Sequence, residues 1–162
     1  MPHAELHCLS CYSFLRAASH PQELVERAAE LGYSALAITD ECSLAGVVKA
    51  HVAAKEVGLK LIVGSEFKLE EGIRLVALAP TRAAYSELSG LISRARRRSP
   101  KGEYEARLRD VIFHLKRCLL LWLPEDNGPA NRAWGQQLSR LCQGRVWLGV
   151  THVLGNNEPA RY

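Results

Sequence analysis

The chain has 162 residues, a formal net charge of +4, 48% hydrophobic residues and 23% charged residues. These values are ordinary for one soluble globular domain with room for a hydrophobic core. No apolar run approaches the ~20 residues that a membrane span needs, and the first residues lack the charged and apolar regions of a signal peptide. The five cysteines show no framework spacing, which predicts reduced thiols and a cytoplasmic protein.

Short apolar runs alternate with segments of helical periodicity along the chain. A helix-start signal at Ser19, Pro21 and Gln22 follows the first apolar run, and Gly32 is suited to end that helix. Strands are predicted at 4–8, 35–39, 60–65, 73–79, 119–123 and 146–150, and helices at 19–32, 44–58, 80–98 and 133–141. This alternation predicts a mainly parallel α/β sheet, open or barrel-like, with the helices outside.

Three predicted strands end in residues that could carry chemistry. His7 lies on the first strand, Asp40 and Glu41 follow the second, and Glu66 follows the third. In parallel sheets ligands bind beyond the carboxyl ends of the strands, and a histidine among carboxylates suits a divalent metal that activates water. The alternative interpretation is that Asp40 and Glu66 cap the helices that follow them.

Two further patterns have competing interpretations. Cys8 and Cys11 form a Cys-x-x-Cys pair, which could be half of a zinc site, a redox pair or two incidental thiols. His51 and His114 are predicted to be structural or surface residues, whereas His152 could approach the strand-end site. A basic run could contact phosphates or form a solvated helix end; its members are Arg94, Arg96, Arg97, Arg98 and Lys101.

Four ordered blocks of the sequence resemble a known family. The blocks at 4–15, 18–28, 35–48 and 61–67 are similar to the PHP (polymerase and histidinol phosphatase) domain. The resemblance is stronger still to the PHP domain at the N-terminus of error-prone bacterial C-family DNA polymerases, which are paralogues of the DNA polymerase III alpha subunit. It is dense over residues 4–104 and looser over 105–162.

The resemblance implies a distorted seven-stranded β/α barrel with metal ions at the carboxyl ends of the strands. Residues 1–162 would be the N-terminal part of that domain, with the final strands and the polymerase domains absent from this chain. The implied partners are DNA, reached through the parent polymerase, other translesion-synthesis proteins and the sliding clamp, with no membrane. One flank of the incomplete barrel is expected to be open.

The resemblance also implies which metal ligands are kept and which are lost. His7, Asp40 and Glu66 match ligand positions, and Glu41 takes the place of a histidine but could still serve as a hard oxygen ligand. Leu9 and Arg74 stand where the family has histidines. We therefore expect a vestigial metal site without a catalytic residue. This site would bind no cofactor, or at most a weakly held Mg²⁺, Mn²⁺ or Zn²⁺. The Arg74 guanidinium would repel a cation or pair with Asp40 or Glu66.

These expectations leave three candidate functions. The first is a degenerate structural domain of an error-prone DNA polymerase, a nucleotidyltransferase that acts in translesion synthesis and DNA repair. The second is an active metal-dependent phosphoesterase or 3′–5′ exonuclease. The third is a nucleic-acid-binding module that uses the basic run. The substitutions at Leu9 and Arg74 favour the first.

Overall fold

A computed structural model describes residues 3–126 and 128–150, which form one six-stranded sheet and five helices. The strands lie along the sheet in chain order. They are β1 (Ala4–Cys8), β2 (Ala35–Ile38), β3 (Lys60–Lys68), β4 (Arg74–Ala79), β5 (Leu119–Trp122) and β6 (Val146–Leu148). The helices are α1 (Pro21–Glu30), α2 (Val47–Val57), α3 (Arg82–Arg97), α4 (Leu108–His114) and α5 (Pro129–Leu141).

Five of the six strands run in one direction. The pairs β1–β2, β2–β3 and β5–β6 are parallel, whereas β4 is antiparallel to both of its neighbours. The reversal is made by a tight connection after β3, in which Leu69 N donates to Ile73 O at 2.8 Å and Gly72 has a φ of +79°. The prediction of a mainly parallel, incomplete barrel is confirmed, and β4 is the exception to the parallel order.

The hydrophobic core lies between the sheet and the helices. All four residues of β2 are buried, as its unbroken apolar sequence predicted. Helices α1 and α2 cover this part of the sheet, and the alanines of α2 let the helix approach closely. A larger cluster packs α3, α4 and α5 against β3, β4 and β5; among its members are Phe67, Leu75, Leu88, Leu91, Val111, Leu120 and Leu138.

The structure differs from the sequence prediction at three elements. β3 continues to Lys68 because it pairs with β4 along its whole second half. Helix α5 begins at Pro129, a residue well suited to the first turn, rather than at residue 133. Helix α4 was not predicted, because its seven residues are too few to show periodicity. His152 lies outside the described residues.

The edge strands β1 and β6 line a groove of about 440 Å³. Its wall includes Leu6, Leu121, Leu123 and Leu148, and Leu148 is 57% exposed. This open apolar flank is the geometry expected of a barrel that is not closed. Among the described residues, no helix has the length and hydropathy needed to span a membrane.

We expect Gly64→Ala to destabilise the protein by roughly 1–3 kcal/mol, the usual cost of overpacking. A Cβ at Gly64 would lie 2.8 Å from the carbonyl oxygen of Ala77, which is backbone and cannot move aside. Urea unfolding of both proteins measures the difference. Gly90→Ala is the control, because its Cβ would find only ordinary contacts on α3 and should stabilise the helix by up to about 1 kcal/mol. Equal stabilities of Gly64→Ala and wild type would contradict the packing argument.

Candidate functional site

Four neighbouring strands bring charged side chains to one edge of the sheet. Glu41 forms a parallel bridge with Glu66, so the pairing of β2 with β3 continues into the acidic residues. Glu66 N donates to the carbonyl oxygens of Thr39 at 3.1 Å and Asp40 at 3.3 Å. Because β4 runs in the opposite direction, Arg74 at its start lies at the same edge.

Glu66 is the centre of this arrangement and is fully buried. Its Oε2 accepts a hydrogen bond from His7 Nε2 at 2.6 Å, and its Oε1 accepts one from Arg16 Nη1 at 2.6 Å. The same Arg16 Nη1 donates to Glu41 Oε2 at 2.6 Å. One guanidinium therefore bridges two of the three carboxylates that were named as candidate metal ligands.

These contacts keep Glu66 ionised. Burial raises the pKa of its carboxyl group, but the hydrogen bonds and positive charge of His7 and Arg16 outweigh burial and lower the pKa from 4.5 to about 2. An ionised carboxylate can only accept, so the His7 Nε2 that contacts it carries a proton. That nitrogen is consequently not available as a metal ligand in this arrangement.

Arg74 adds a second guanidinium to the site. Its Nε lies 3.8 Å from Glu66 Oε1, and its Nη2 lies 3.4 Å from Glu125 Oε1. The Nε is buried and makes no hydrogen bond, so its contact with Glu66 is an ionic one at longer range. Of the two partners proposed for Arg74 from the sequence, the structure therefore places it beside Glu66.

Asp40 is almost fully buried and is held by the loop that follows β1. Its Oδ1 accepts from Ser10 N at 2.8 Å and Ser13 Oγ at 2.7 Å, and its Oδ2 accepts from Ser10 Oγ at 2.7 Å. A Cβ at Gly46 would lie 3.1 Å from Asp40 Oδ2 and 3.2 Å from Ser10 Oγ, so Gly46 packs closely against this hydrogen-bonded pair.

The alternative prediction that these acids cap helices is wrong. The N-cap residue of α2 is Gly46, and Asp40 instead binds the loop after β1. Glu66 lies inside β3, which continues into a hairpin rather than a helix. Both acids therefore act through long-range contacts with other parts of the chain.

Glu41 is also engaged on both of its oxygens. Its Oε1 accepts from the hydroxyl of Tyr104 at 2.7 Å, and that hydroxyl accepts from Lys68 N at 2.8 Å. Burial raises the pKa of Tyr104, which keeps the hydroxyl protonated. Arg96 donates to the carbonyl oxygens of Glu41 and Cys42 and so holds a turn in which Cys42 has a φ of +44°.

Every carboxylate oxygen of Asp40, Glu41 and Glu66 thus accepts a hydrogen bond or ion pair from the protein. Within residues 3–126 and 128–150, no group of three or more His, Cys, Asp or Glu side chains is arranged to hold a metal ion. Arg16 was not identified from the sequence. A lone arginine in the segment between β1 and α1 carries no motif, and its partner Glu66 is 50 residues away.

The remaining predicted residues lie apart from this cluster or support it. Cys8 and Cys11 are both free thiols; burial raises the pKa of Cys8 to about 11, and Cys11 Sγ lies 3.3 Å from His20 Nδ1. The basic run divides into two groups. Arg96 contacts backbone carbonyls and Arg98 pairs with Asp110 at 2.6 Å, so these two are committed to contacts within the domain. Arg94, Arg97 and Lys101 are exposed, and Arg98 is exposed as well despite its ion pair with Asp110.

The fold and this cluster define the class of the protein: an incomplete β/α barrel with acidic residues at the carboxyl ends of its strands. A family model for the PHP domain matches residues 5–138, and the chain belongs to the PHP domain family. It is 58% identical over 154 residues to an error-prone DNA polymerase of Saccharophagus degradans and 55% identical over 158 residues to one of Teredinibacter turnerae. These alignments cover 95% and 98% of this chain but only 15% of each relative.

Solved structures agree on the fold. A crystal structure named as that of a metal-dependent phosphoesterase from Bifidobacterium adolescentis superposes with a TM-score of 0.71 at 19% identity, covering 99% of this chain and 80% of that one. An amidohydrolase from Chromobacterium violaceum, with bound sulfate and no metal, gives a TM-score of 0.66 at 17% identity over 90% of this chain and 76% of its own. At these identities the similarity establishes the architecture alone.

Removing the bridging guanidinium of Arg16 should destabilise the folded protein. We expect Arg16→Ala to lower the free energy of unfolding by roughly 2–3 kcal/mol, because it leaves Glu66 buried with His7 as its nearest partner. This is below the ~3–5 kcal/mol of a fully buried pair, since the Arg16 side chain is 31% exposed. Arg27→Ala is the control; it breaks an exposed pair with Glu30 and should cost below about 0.5 kcal/mol. Similar losses in both variants by urea unfolding would contradict a special role for Arg16.

The lowered pKa of Glu66 predicts a pH dependence. The unfolded chain binds a proton at Glu66 near pH 4.5, whereas the folded chain does so near pH 2. The ion pairs therefore stabilise the fold fully above pH 4.5, and this contribution is lost as the pH falls through 2. Wild type should be more stable than Glu66→Gln at pH 7, and the difference should shrink below pH 4.5. A difference that grows on acidification would contradict the assignment.

Proposed function

We propose that this chain is the N-terminal part of the PHP domain of an error-prone DNA polymerase, and that an internal ion pair has replaced its metal site. The observation that carries the proposal is the Arg16 guanidinium between Glu41 and Glu66. In this proposal the domain does not hydrolyse phosphoesters, and its role is architectural. The similarity to error-prone DNA polymerases over nearly the whole chain supports the assignment to that protein.

The chemistry of the donor set supports the loss of hydrolysis. A metal ion in such a site would polarise a phosphoryl oxygen and lower the pKa of a bound water. A guanidinium offers neither an open coordination position nor a Lewis-acid centre, and it keeps its charge at every physiological pH. Arg16 and Arg74 together also repel an incoming cation. The resemblance to the family implies that Leu9, Glu41 and Arg74 stand in place of three histidines, which would leave His7 as the one matching nitrogen ligand.

The loop that carries Arg16 supports an architectural role. Phe14 is 83% exposed and Leu15 is 90% exposed, next to the arginine that fixes the loop to Glu66. Large adjacent apolar side chains in water usually mark a surface that another protein part covers. The relatives are more than six times the length of this chain. We propose that Phe14 and Leu15 pack against polymerase domains of the complete protein.

The finer functional expectations belong to the same proposal. The complete protein would be a DNA-directed DNA polymerase of the cytoplasm that acts in translesion synthesis and DNA repair. DNA would be its substrate, and the sliding clamp and other translesion-synthesis proteins would be its partners. A single weakly held Mg²⁺, Mn²⁺ or Zn²⁺ is the most that the acidic cluster would accept in this proposal. An active phosphoesterase or 3′–5′ exonuclease is the alternative that the following experiment tests.

We expect no turnover when the protein is incubated with Mn²⁺ or Zn²⁺ and either a chromogenic phosphodiester or single-stranded DNA. Product release is followed by absorbance for the phosphodiester and by gel electrophoresis for the DNA. Turnover in the wild type that disappears in Asp40→Asn would overturn the proposal, because it would place a working metal site at the acidic cluster.

Calorimetric titration with Mn²⁺ tests directly whether the Arg16 guanidinium prevents metal binding. Wild type should bind Mn²⁺ weakly or not at all, and a variant combining Arg16→Ala, Leu9→His and Arg74→His should bind it more tightly. The matched control keeps Arg16 and carries only the two histidine substitutions; it should stay close to wild type, because the guanidinium still bridges Glu41 and Glu66. Tight binding by the wild type would contradict the proposal.

A further inference from the structure

A second surface feature lies away from the acidic cluster. Helices α3 and α4 and the turn after α4 enclose a groove of about 460 Å³. This volume lies within the roughly 300–1,000 Å³ of sites that take one small molecule, so it suits a unit the size of a nucleotide rather than a duplex. None of the residues that line it contributes to the contacts around Glu66.

The groove combines cations with an exposed aromatic ring. Arg94 of α3 and Lys116 and Arg117 of the turn after α4 line it, and both Arg94 and Lys116 are exposed. Phe113, at the end of α4, also lines it and is 68% exposed. The groove therefore presents the face of one aromatic ring beside three cations.

The one acidic residue of the groove is already neutralised. Glu87 Oε1 accepts from Arg117 Nη1 at 2.5 Å, and Glu87 Oε2 accepts from Arg117 N at 2.8 Å. The Glu87 side chain is 15% exposed, whereas that of Arg117 is 63% exposed. Glu87 therefore orients Arg117 and presents little negative charge to the groove. The exposed lining is positive, with the charges of Arg94 and Lys116 unopposed by Glu87.

We propose that this groove binds single-stranded nucleic acid. Arg94 and Lys116 would contact successive phosphates, and the face of Phe113 would stack on a base. Such stacking on a positively charged surface is how proteins bind single strands without reading their sequence. The proposal goes beyond the polymerase assignment, which supplies only a reason for DNA to be nearby. An acidic peptide would also be attracted by the cations, but it would have no use for a flat aromatic surface.

The test is fluorescence anisotropy with the 162-residue chain and a labelled oligothymidylate of about 12 nucleotides, within the site sizes known for single-strand binders. EDTA in the buffer keeps this measurement separate from any hydrolysis, so the two proposals can fail independently. We expect a dissociation constant of roughly 10⁻⁴ to 10⁻⁶ M, the range of binding without sequence preference. Binding to a duplex of the same length should be weaker.

Variants distinguish base stacking on Phe113 from a general attraction of DNA to a positively charged protein. Phe113→Ala should weaken binding by about 5- to 10-fold, and Phe113→Trp should restore it. Lys116→Ala should weaken binding and reduce the slope of log K against log salt by about 0.7. Lys55→Ala is the matched control; Lys55 is an exposed residue of α2 outside the groove, and its loss should change little. Circular dichroism should show that all variants remain folded.

Two results would overturn the proposal. Equal effects of Lys55→Ala and Lys116→Ala, with no effect of Phe113→Ala, would mean that the chain attracts DNA only through its net charge. A polyglutamate peptide could also displace the labelled strand as effectively as unlabelled oligonucleotide does. That result, again with no effect of Phe113→Ala, would mean that the groove binds acidic peptides.

Discussion

The buried carboxylate of Glu66 is the constraint on which this edge of the sheet depends. An ionised group without exposure to water is tolerated only when opposite charge and hydrogen bonds replace its hydration. His7 and Arg16 provide both, and Arg16 comes from the segment between β1 and α1. The ion pair between Arg16 and Glu66 therefore fixes the conformation of that segment as well as the charge of the site. The same segment supplies Ser10 and Ser13 to Asp40, so two neighbouring acids hold one loop.

The direction of β4 determines which positive groups can reach this loop and its acids. If β4 ran parallel to its neighbours, Arg74 would begin at the opposite edge of the sheet, far from Glu66. The hairpin after β3 instead starts β4 beside the carboxyl ends of the parallel strands. Because β4 then ends at the far edge, α3 runs back toward the site, and Arg96 near its end reaches the carbonyl oxygens of Glu41 and Cys42. The reversed direction of β4 thus explains why both Arg74 and Arg96 reach this edge of the sheet.

The sequence predicted the strands and the acidic positions well, because both depend on short-range patterns. The apolar run of β2 and the acids that follow it are visible in a few consecutive residues, and the edge they share follows from parallel order. Arg16 could not be found in this way, since its role depends on how an irregular segment folds and on partners 25 and 50 residues away. The direction of β4 was equally hidden, because an apolar run has the same pattern in either orientation. Helix α4 is too short for periodicity to reveal it.

A guanidinium carried by the chain differs from a metal ion in what it requires. A metal must be supplied from solution, competes with protons for its ligands and is removed by chelators. Arg16 is always present and always charged, so the edge of the sheet is held in the same state whatever the metal content of the solution. In the proposed function, it would also make the loss of the metal site hard to reverse. Restoring one histidine would return a ligand while leaving each carboxylate oxygen in its present contact with Arg16, Tyr104 or the loop serines. The guanidinium must leave before new ligands can act, and its departure by itself leaves Glu66 buried with His7 as its nearest partner. In this proposal the acidic cluster is a structural element that is separated from metal binding by an unfavourable intermediate.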